Sequence, residues 1–192
     1  MRRIKRPRLQ QGHTLIEVIT AASVGTIALT AAMMTLWFGM SSWYRGFGKI
    51  DAENRSEAAV RYVASQLRQA MSVTVAGDGS SLTYRLPAYD NQGVMSNPVV
   101  WDNVSRSIYV NNGTLYANQG GSIKEVCTGV ISTDPYSSGG NQTYRVFTAG
   151  AGAITRQVTV AIATSRAAYK SDVVKSRRRE TIYLRNIPQL SR

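Results

Sequence analysis

One carboxylate, that of Glu17, stands at the entrance to the longest uncharged stretch of the chain. The 23 residues 18–40 carry no charge, and a helix of that length crosses a hydrocarbon core roughly 30 Å thick. A charged group inside lipid is costly, so it requires a partner or a function. Residue 13 lies one helical turn before Glu17, and groups at these two positions share a helix face. The carboxylate therefore either has a functional partner or belongs to a membrane anchor whose glutamate snorkels to the headgroups.

The residues on either side of this stretch add to the pattern. The leader, MRRIKRPRLQQ, contains five basic residues and no acid, and Gly12 follows it. Trp43 and Tyr44 lie beyond the far end, and such aromatic side chains settle at membrane–water interfaces. A basic leader, a glycine and TLIE opening an apolar helix together resemble the N-terminus of type IV prepilins. That family comprises the type IV pilins and the pseudopilins of type II secretion and DNA-uptake machines.

The resemblance implies a route of processing and assembly. A prepilin peptidase would cleave the Gly12–His13 bond, and the new N-terminus at His13 would be N-methylated. Glu17 occupies the position of the family's assembly residue, which pairs with the terminal ammonium of a neighbouring subunit. The implied partners are other pilin or pseudopilin subunits, the prepilin peptidase, the inner-membrane assembly platform and the membrane. No cofactor is implied.

The distribution of charge predicts an orientation in the membrane. Formal net charge is +12, and removal of the leader would leave 18 basic against 11 acidic side chains. Basic residues before the span and a larger domain after it follow the positive-inside rule. The charge distribution therefore predicts a single pass with the C-terminal domain outside the cytoplasm. The resemblance implies that the membrane is a bacterial inner membrane and that the chain later enters a pilus or pseudopilus. Small pairs at i,i+4, such as Ala21 with Gly25 and Ala28 with Ala32, would let neighbouring helices approach closely.

A second, water-soluble helical segment is predicted for residues 50–73. Gly46 and Gly48 precede it and interrupt the pattern, so one long helix bent at these glycines is expected. Its apolar residues recur with a helical period and would lie against a core: Ala59, Val63, Leu67, Ala70 and Met71. Two acid–base pairs at i,i+4, Asp51 with Arg55 and Glu57 with Arg61, are expected on the exposed side.

From the GDGS turn at 77–80 onward, the apolar residues follow a period of two, which is typical of strands. The predicted strands are 82–86, 107–110, 114–117, 124–131, 143–148, 154–164 and 180–185, with 99–101 as a short strand or a core plug. Asn112 and Gly113 tolerate the positive φ angles of a tight hairpin turn. The fold class is therefore α+β: a long N-terminal helix packed on an antiparallel β-sheet domain. The domain boundaries are 1–12 (leader), 13–44 (membrane and assembly helix), 45–76 (soluble helix) and 77–192 (β-rich domain).

One dense basic cluster stands near the C-terminus, in a stretch (166–179) predicted to be an exposed connection. Its members are Lys170, Lys175, Arg177, Arg178 and Arg179. They could form a patch for DNA or another polyanion, with Tyr169 and Tyr183 as stacking residues; such binding would weaken steeply with salt. The favoured interpretation is a solvated loop, or one that docks on an acidic neighbour in the filament.

Little in the sequence points to an enzyme. The only histidine is His13, so the globular part cannot form a histidine–cysteine metal cluster or a Ser-His-Asp triad. The lone Cys127, flanked by valines, is expected to be a small buried hydrophobe rather than a nucleophile. The order of the predicted strands resembles that of the minor pilins and minor pseudopilins, so the chain is expected to be such a subunit and not an enzyme. The alternative is a single-pass membrane protein whose basic domain outside the cytoplasm binds DNA or another polyanion.

Overall fold

One helix precedes eight antiparallel strands in the computed structural model, which describes residues 14–96, 99–136, 143–151, 155–168 and 172–184. This α+β architecture confirms the predicted fold class. The elements are α1 (Leu15–Leu67), β1 (Ser72–Val75), β2 (Ser81–Arg85), β3 (Arg106–Asn111), β4 (Thr114–Gln119), β5 (Ser122–Thr128), β6 (Phe147–Ala149), β7 (Gln157–Ala167) and β8 (Val173–Tyr183). The predictions for Gly12, His13, Tyr169 and Lys170 fall outside the described residues.

The chain divides into two units, Met1–Trp43 and Tyr44–Arg192. In the first unit the described residues form α1 up to Trp43, and every side chain there is exposed apart from the half-buried Ser41. By length and composition, α1 is able to cross a membrane. We call residues 15–43 of α1 the exposed segment and residues 44–67 the packed segment.

Gly46 and Gly48 do not interrupt the helix, contrary to the prediction. Both lie within α1, and the second unit itself supports the helix at this point. Gly48 is buried, and a Cβ added to it would lie 3.6 Å from the Cβ of Ala168. Arg45 pairs with Asp172 at 2.7 Å. Glycine costs a helix about 1 kcal/mol relative to alanine, and these contacts with the β7–β8 hairpin offset that cost.

The predicted apolar stripe is buried, but α1 is shorter than expected. Val63 and Leu67 are fully buried, as are Ala70 and Met71 beyond the end of the helix. The helix ends at Leu67, and Ser72–Val75 forms β1 rather than a further helical turn. Valine and threonine, which alternate in this strand, fit a pleated sheet better than a helix.

The first sheet is an antiparallel meander in the order β1-β2-β3-β4-β5. The predicted hairpin is confirmed: Asn111 pairs with Thr114, and Asn112 and Gly113 have φ angles of 48° and 72°. Gly79 turns the chain between β1 and β2 with φ of 71°, and a Cβ there would lie 2.7 Å from the carbonyl oxygen of Phe147. Only glycine meets both demands without strain.

The second sheet, in the order β6-β7-β8, contains a strand that the sequence analysis assigned to a connection. Residues 166–179 were expected to be an exposed loop, but β8 begins at Val173 and pairs with β7 along its whole length. The loop prediction is therefore wrong for the basic residues of β8. The backbone of β8 pairs with β7 along one edge, while its side chains point to the two faces of the sheet. Charged side chains on the exposed face therefore remain solvated.

The core of the second unit lies between the packed segment and the two sheets. Its largest fully buried side chains include Tyr84, Phe147, Leu67, Leu82 and Ile108. Cys127 is buried among them at 7% exposure, as predicted. Val99, Val100 and Trp101 are not a core plug, because they are 42–50% exposed. Of the predicted short strand, one isolated antiparallel bridge forms, between Trp101 and Pro87. Hydrophobicity alone was a misleading signal at this loop.

Candidate functional site: an exposed apolar helix and a basic edge strand

Glu17 takes part in a capping box at the start of α1. Its Oε2 accepts hydrogen bonds from the backbone nitrogen of Thr14 (3.2 Å) and from the Thr14 hydroxyl (3.4 Å). In return, the Glu17 nitrogen donates to the Thr14 hydroxyl at 3.4 Å. Reciprocal bonds of this kind satisfy backbone donors that a helix N-terminus leaves without intrahelical partners.

The sequence analysis did not predict that the Glu17 carboxylate caps the helix. The signal was present, because threonine followed three residues later by glutamate is the sequence pattern of a capping box. Glu17 therefore has a local reason to occur at this position, besides any role in assembly. The cap also holds the carboxylate at the helix N-terminus, where the helix dipole favours negative charge. An assembly test must consequently separate the charge of Glu17 from its capping hydrogen bonds.

Six hydroxyl side chains of the exposed segment donate hydrogen bonds to backbone carbonyls of the preceding turn. The hydroxyl of Thr26 donates to the carbonyl of Ala22 at 2.7 Å, and that of Thr30 to the carbonyl of Thr26 at 2.8 Å. The same backward bonds are made by Thr20, Ser23, Thr35 and Ser41. A polar group without a partner is expensive in hydrocarbon. These bonds make the segment compatible with lipid despite its threonines and serines.

The surface of the exposed segment is apolar and open. Leu15, Ile16, Ile27, Leu29 and Met33 are each more than 60% exposed. A Cβ added to Gly25 would meet nothing within 4 Å. An apolar surface of this extent is compatible with a membrane span, and its small residues would permit close contact with another helix.

The packed segment is tied to both sheets by a charged cluster around Asp51. Arg55 Nε donates to Asp51 Oδ1 at 3.2 Å, and Arg55 Nη1 donates to the Thr128 hydroxyl at 2.9 Å. Arg166 Nε lies 3.0 Å from Asp51 Oδ2, an ion-pair contact that falls outside hydrogen-bond geometry. The predicted Asp51–Arg55 pair is thus confirmed. Its placement on the exposed side is wrong, because the Asp51 side chain is only 28% exposed.

The second predicted pair, Glu57 with Arg61, forms on the solvent side as expected. Nearby, the buried hydroxyl of Thr164 on β7 donates to the carbonyl of Ala52 at 2.7 Å. The packed segment is therefore held by a buried hydrogen bond and by a charged cluster, in addition to its apolar stripe.

The basic residues of β8 divide between the two faces of the second sheet. Ser176 and Ile182 are buried toward the core, and Glu180 pairs with Arg68 of the helix side at 2.9 Å. Side chains alternate between the two faces of a strand, so the even-numbered Arg178 lies on the same face as Ser176, Glu180 and Ile182. Lys175, Arg177 and Arg179 lie on the opposite, outer face, and we call these three residues the basic row. The sequence analysis grouped all of them as one loop cluster, whereas the strand separates Arg178 from the row.

Arg177, in the middle of the basic row, is held by the loop before residue 137. Its Nη1 donates to Asp134 Oδ2 at 2.6 Å. Its guanidinium also lies 5.2 Å from the ring centroid of Tyr136, in a cation–π contact. Part of the positive charge of the row is therefore already compensated, while Lys175 and Arg179 are exposed at either side of it.

Metal binding and a reactive thiol each place requirements on the remaining titratable groups of the described residues. No group of three or more His, Cys, Asp or Glu side chains among them could hold a metal ion. Burial raises the pKa of the Cys127 thiol, which disfavours the nucleophilic thiolate. A groove of about 730 Å³ is lined by Met71, Val100 and Trp101, together with Asp102. The Asp102 carboxylate is already paired with Arg106 at 2.7 Å.

Comparisons of this chain with models of protein families, with characterised proteins and with solved structures find no match.

Proposed function

We propose that the chain is a minor pilin or minor pseudopilin, a subunit of a type IV pilus or of a type II secretion-like filament. In this proposal a prepilin peptidase cleaves the Gly12–His13 bond, and His13 becomes the N-methylated first residue. The precursor is stored as a single-pass protein of the inner membrane, and the assembly platform then transfers it to the filament. Contacts with other subunits are made by the N-terminal helix.

The observation that carries the proposal is the exposed segment itself. It combines an open apolar surface, internally satisfied hydroxyls and a single acid at its N-terminus. A plain anchor needs only the first two features. A carboxylate placed at the start of the span supports an additional contact, and the free amine of another processed subunit has the chemistry to make it.

The test of Glu17 uses three substitutions, because the cap and the charge are separable. Glu17→Ala removes both. Glu17→Gln removes the charge but keeps an oxygen that accepts the capping bond, and Thr14→Ala weakens the cap while it leaves the charge. We expect both Glu17 variants to enter sheared filaments at about a tenth of the wild-type level or less, which corresponds to about 1.4 kcal/mol. Thr14→Ala should assemble nearly normally.

Membrane insertion should be unchanged in all three variants, and its measurement in membrane fractions provides the control. Normal assembly of Glu17→Gln, together with defective assembly of Thr14→Ala, would assign Glu17 to helix capping alone and would refute the assembly role.

Processing is tested directly by mass spectrometry of the N-terminus from native membranes. We expect the mature chain to begin at His13 with a methylated amine. Replacement of Gly12 by a bulky residue should leave the precursor intact, with the mass of the leader retained. A native chain that begins at Met1 would contradict the proposal.

The alternative function is a tethered domain that binds DNA or another polyanion through the basic residues of β8. It predicts binding that falls steeply between about 50 and 200 mM salt and that is lost when Lys175, Arg177, Arg178 and Arg179 are neutralised. The pairing of Arg177 with Asp134 reduces the charge available for such binding.

A further inference from the structure

β8 leaves one long edge of the second sheet open. The strand is the last in the order β6-β7-β8, and all 11 of its residues pair with β7. Among the described residues no strand pairs with its other side. An open edge of this length presents a row of backbone donors and acceptors to any extended chain.

The register identifies the residues that carry these open backbone groups. Leu184 donates to the carbonyl of Arg156 (2.9 Å) and Ala168 to that of Asp172 (2.8 Å), at the two ends of the β7–β8 ladder. Hydrogen-bonded residues alternate along an antiparallel ladder. The even-numbered residues of β8 therefore direct their N–H and C=O groups to β7, and the odd-numbered residues direct theirs to the open edge.

The same odd-numbered residues carry the basic row. Thr181 shows which face they share, because its hydroxyl lies 3.1 Å from that of Thr159, its cross-strand partner on the outer face. The partners of Lys175, Arg177 and Arg179 on β7 are small: Ser165, Ala163 and Ala161. An incoming strand would thus find outward backbone groups at alternate positions, about 6.6 Å apart. The exposed cations of Lys175 and Arg179 would lie on either side of Arg177, which Asp134 and Tyr136 already hold.

We propose that β8 is a docking edge for an extended segment of another protein, with acidic side chains at every second residue. Such a segment would add a fourth strand to the second sheet and would place its acids directly opposite the basic row. A nucleic acid fits the edge less well, because phosphates are acceptors only and would leave the outward carbonyls of β8 without donors. This interaction does not depend on assembly into a filament.

The partner is a different chain rather than a second copy of this one. Only Asp51 and Glu53, among all 11 acids of the sequence, are two residues apart. Both belong to α1, so this chain has no extended segment with alternating acids. Edge-to-edge pairing of two β8 strands would instead place lysine and arginine against lysine and arginine.

The probe is a short synthetic peptide in which glutamate alternates with threonine, labelled with a fluorophore. Its matched control has the same composition with the glutamates contiguous, and a single-stranded oligonucleotide of equal charge serves as the phosphate control. Fluorescence anisotropy with the full chain in nanodiscs measures affinity at low salt. We expect the alternating peptide to bind at least about fivefold more tightly than the contiguous one, the equivalent of about 1 kcal/mol for one hydrogen bond.

Two variants distinguish backbone pairing from charge. Thr181→Pro removes one outward N–H, which β7 does not use, and proline is tolerated on edge strands. We expect it to weaken binding about fivefold, whereas Thr181→Val, which keeps the N–H, should bind like the wild type. Lys175→Gln combined with Arg179→Gln should weaken binding further without touching the backbone, and it serves if the proline variant does not fold. Amide exchange should slow at odd-numbered residues of β8 on binding.

Three results would overturn the proposal. Equal binding of the two peptides would mean that charge alone is recognised. Tighter binding of the oligonucleotide, unaffected by Thr181→Pro, would assign the row to phosphate. The absence of any binding at low salt would show that the lysine and arginines only protect the edge from pairing.

Discussion

The two segments of α1 both contain leucine and small residues, but the surroundings of these residues are opposite. Leu29 in the exposed segment is 63% exposed, whereas Leu67 in the packed segment is fully buried. Small residues occur in both: Ala21 and Gly25 lie open in the first, and Ala52 and Ala59 are buried in the second. In the packed segment the small residues permit close contact with a sheet. In the exposed segment the small residues Ala21 and Gly25 are exposed.

The comparison shows that composition alone does not assign a helix to a core. The packed segment buries its apolar side chains inside the second unit. Its solvent side carries an ion pair, Glu57 with Arg61. The exposed segment has one acid and is apolar all round, as is typical of a helix that meets lipid or other helices. Four substitutions sharpen this contrast, and each has a counterpart in another environment.

The largest expected effect is that of Leu67→Ala. Removal of this buried side chain should lower the free energy of unfolding of the second unit by about 2–5 kcal/mol. Leu29→Ala removes the same atoms from an exposed position and should leave that free energy unchanged. Denaturant unfolding in detergent, followed by amide exchange in the sheets, measures both. Equal losses for the two variants would contradict the division of α1.

Tyr144→Phe should have the next largest effect, because a buried backbone group depends on the phenol. The Tyr144 oxygen accepts a hydrogen bond from the nitrogen of Ala163 at 2.7 Å. Loss of this acceptor leaves a buried N–H without a partner and should cost about 1–3 kcal/mol at neutral pH. The exposed Tyr183 provides the control, since Tyr183→Phe should cost almost nothing.

Alkaline pH tests the same residue. Burial raises the pKa of Tyr144 to about 12, whereas a phenol in the unfolded chain ionises near pH 10. Between these values the unfolded state binds fewer protons than the folded state, so wild-type stability should fall as pH rises from about 10 to 12. The decline should be shallower in Tyr144→Phe than in Tyr183→Phe. The described part of the exposed segment has no tyrosine and should contribute nothing to this slope.

Two hydroxyls with the same bond length form a third contrast. Thr164 donates to the carbonyl of Ala52 at 2.7 Å from another element, and Thr26 donates to that of Ala22 at 2.7 Å within the helix. Thr164→Val should destabilise the second unit by about 1 kcal/mol, and Thr26→Val should not change it. Thermal unfolding of both proteins at one detergent concentration provides the comparison; a silent Thr164→Val would show that its bond adds nothing net.

The smallest effect is expected at the ion pairs of the packed segment. Asp51→Asn removes the charge that Arg55 and Arg166 share, and should cost about 0.7 kcal/mol. Glu57→Gln disrupts only the solvent-side pair with Arg61 and should cost about 0.3 kcal/mol. The two values are obtained from denaturation midpoints at low salt. A larger effect at Glu57 would contradict the half-buried environment of Asp51.

Periodic patterns made most of the fold predictable from sequence. The i,i+4 acid–base pairs, the apolar stripe through Val63 and Leu67, and the hairpin around Asn112 and Gly113 each depend on neighbours close in the chain. Such local signals survive without knowledge of the fold. Burial of Cys127 was predictable for the same reason, since its flanking valines mark a strand.

The predictions that failed concern positions where distant parts of the chain decide the outcome. Gly48 stays helical because the β7–β8 hairpin packs on it, and β8 is a strand because β7 offers it a full ladder. A run of lysine and arginine has the composition of a loop, and the three consecutive arginines 177–179 conceal the alternation that the buried Ser176 and Ile182 show in the structure. The cap at Glu17 could have been predicted from sequence, because Thr14 precedes Glu17 by three residues in the pattern of a capping box.

The basic row also has a consequence for how copies of this protein coexist at high local concentration. An open sheet edge can pair with another strand, so molecules with open edges tend to aggregate through them at high concentration. Here any two copies that approached along β8 would bring like charges together at three successive positions. Self-polymerisation by this route is therefore disfavoured, whereas the edge remains available to an extended chain of opposite charge.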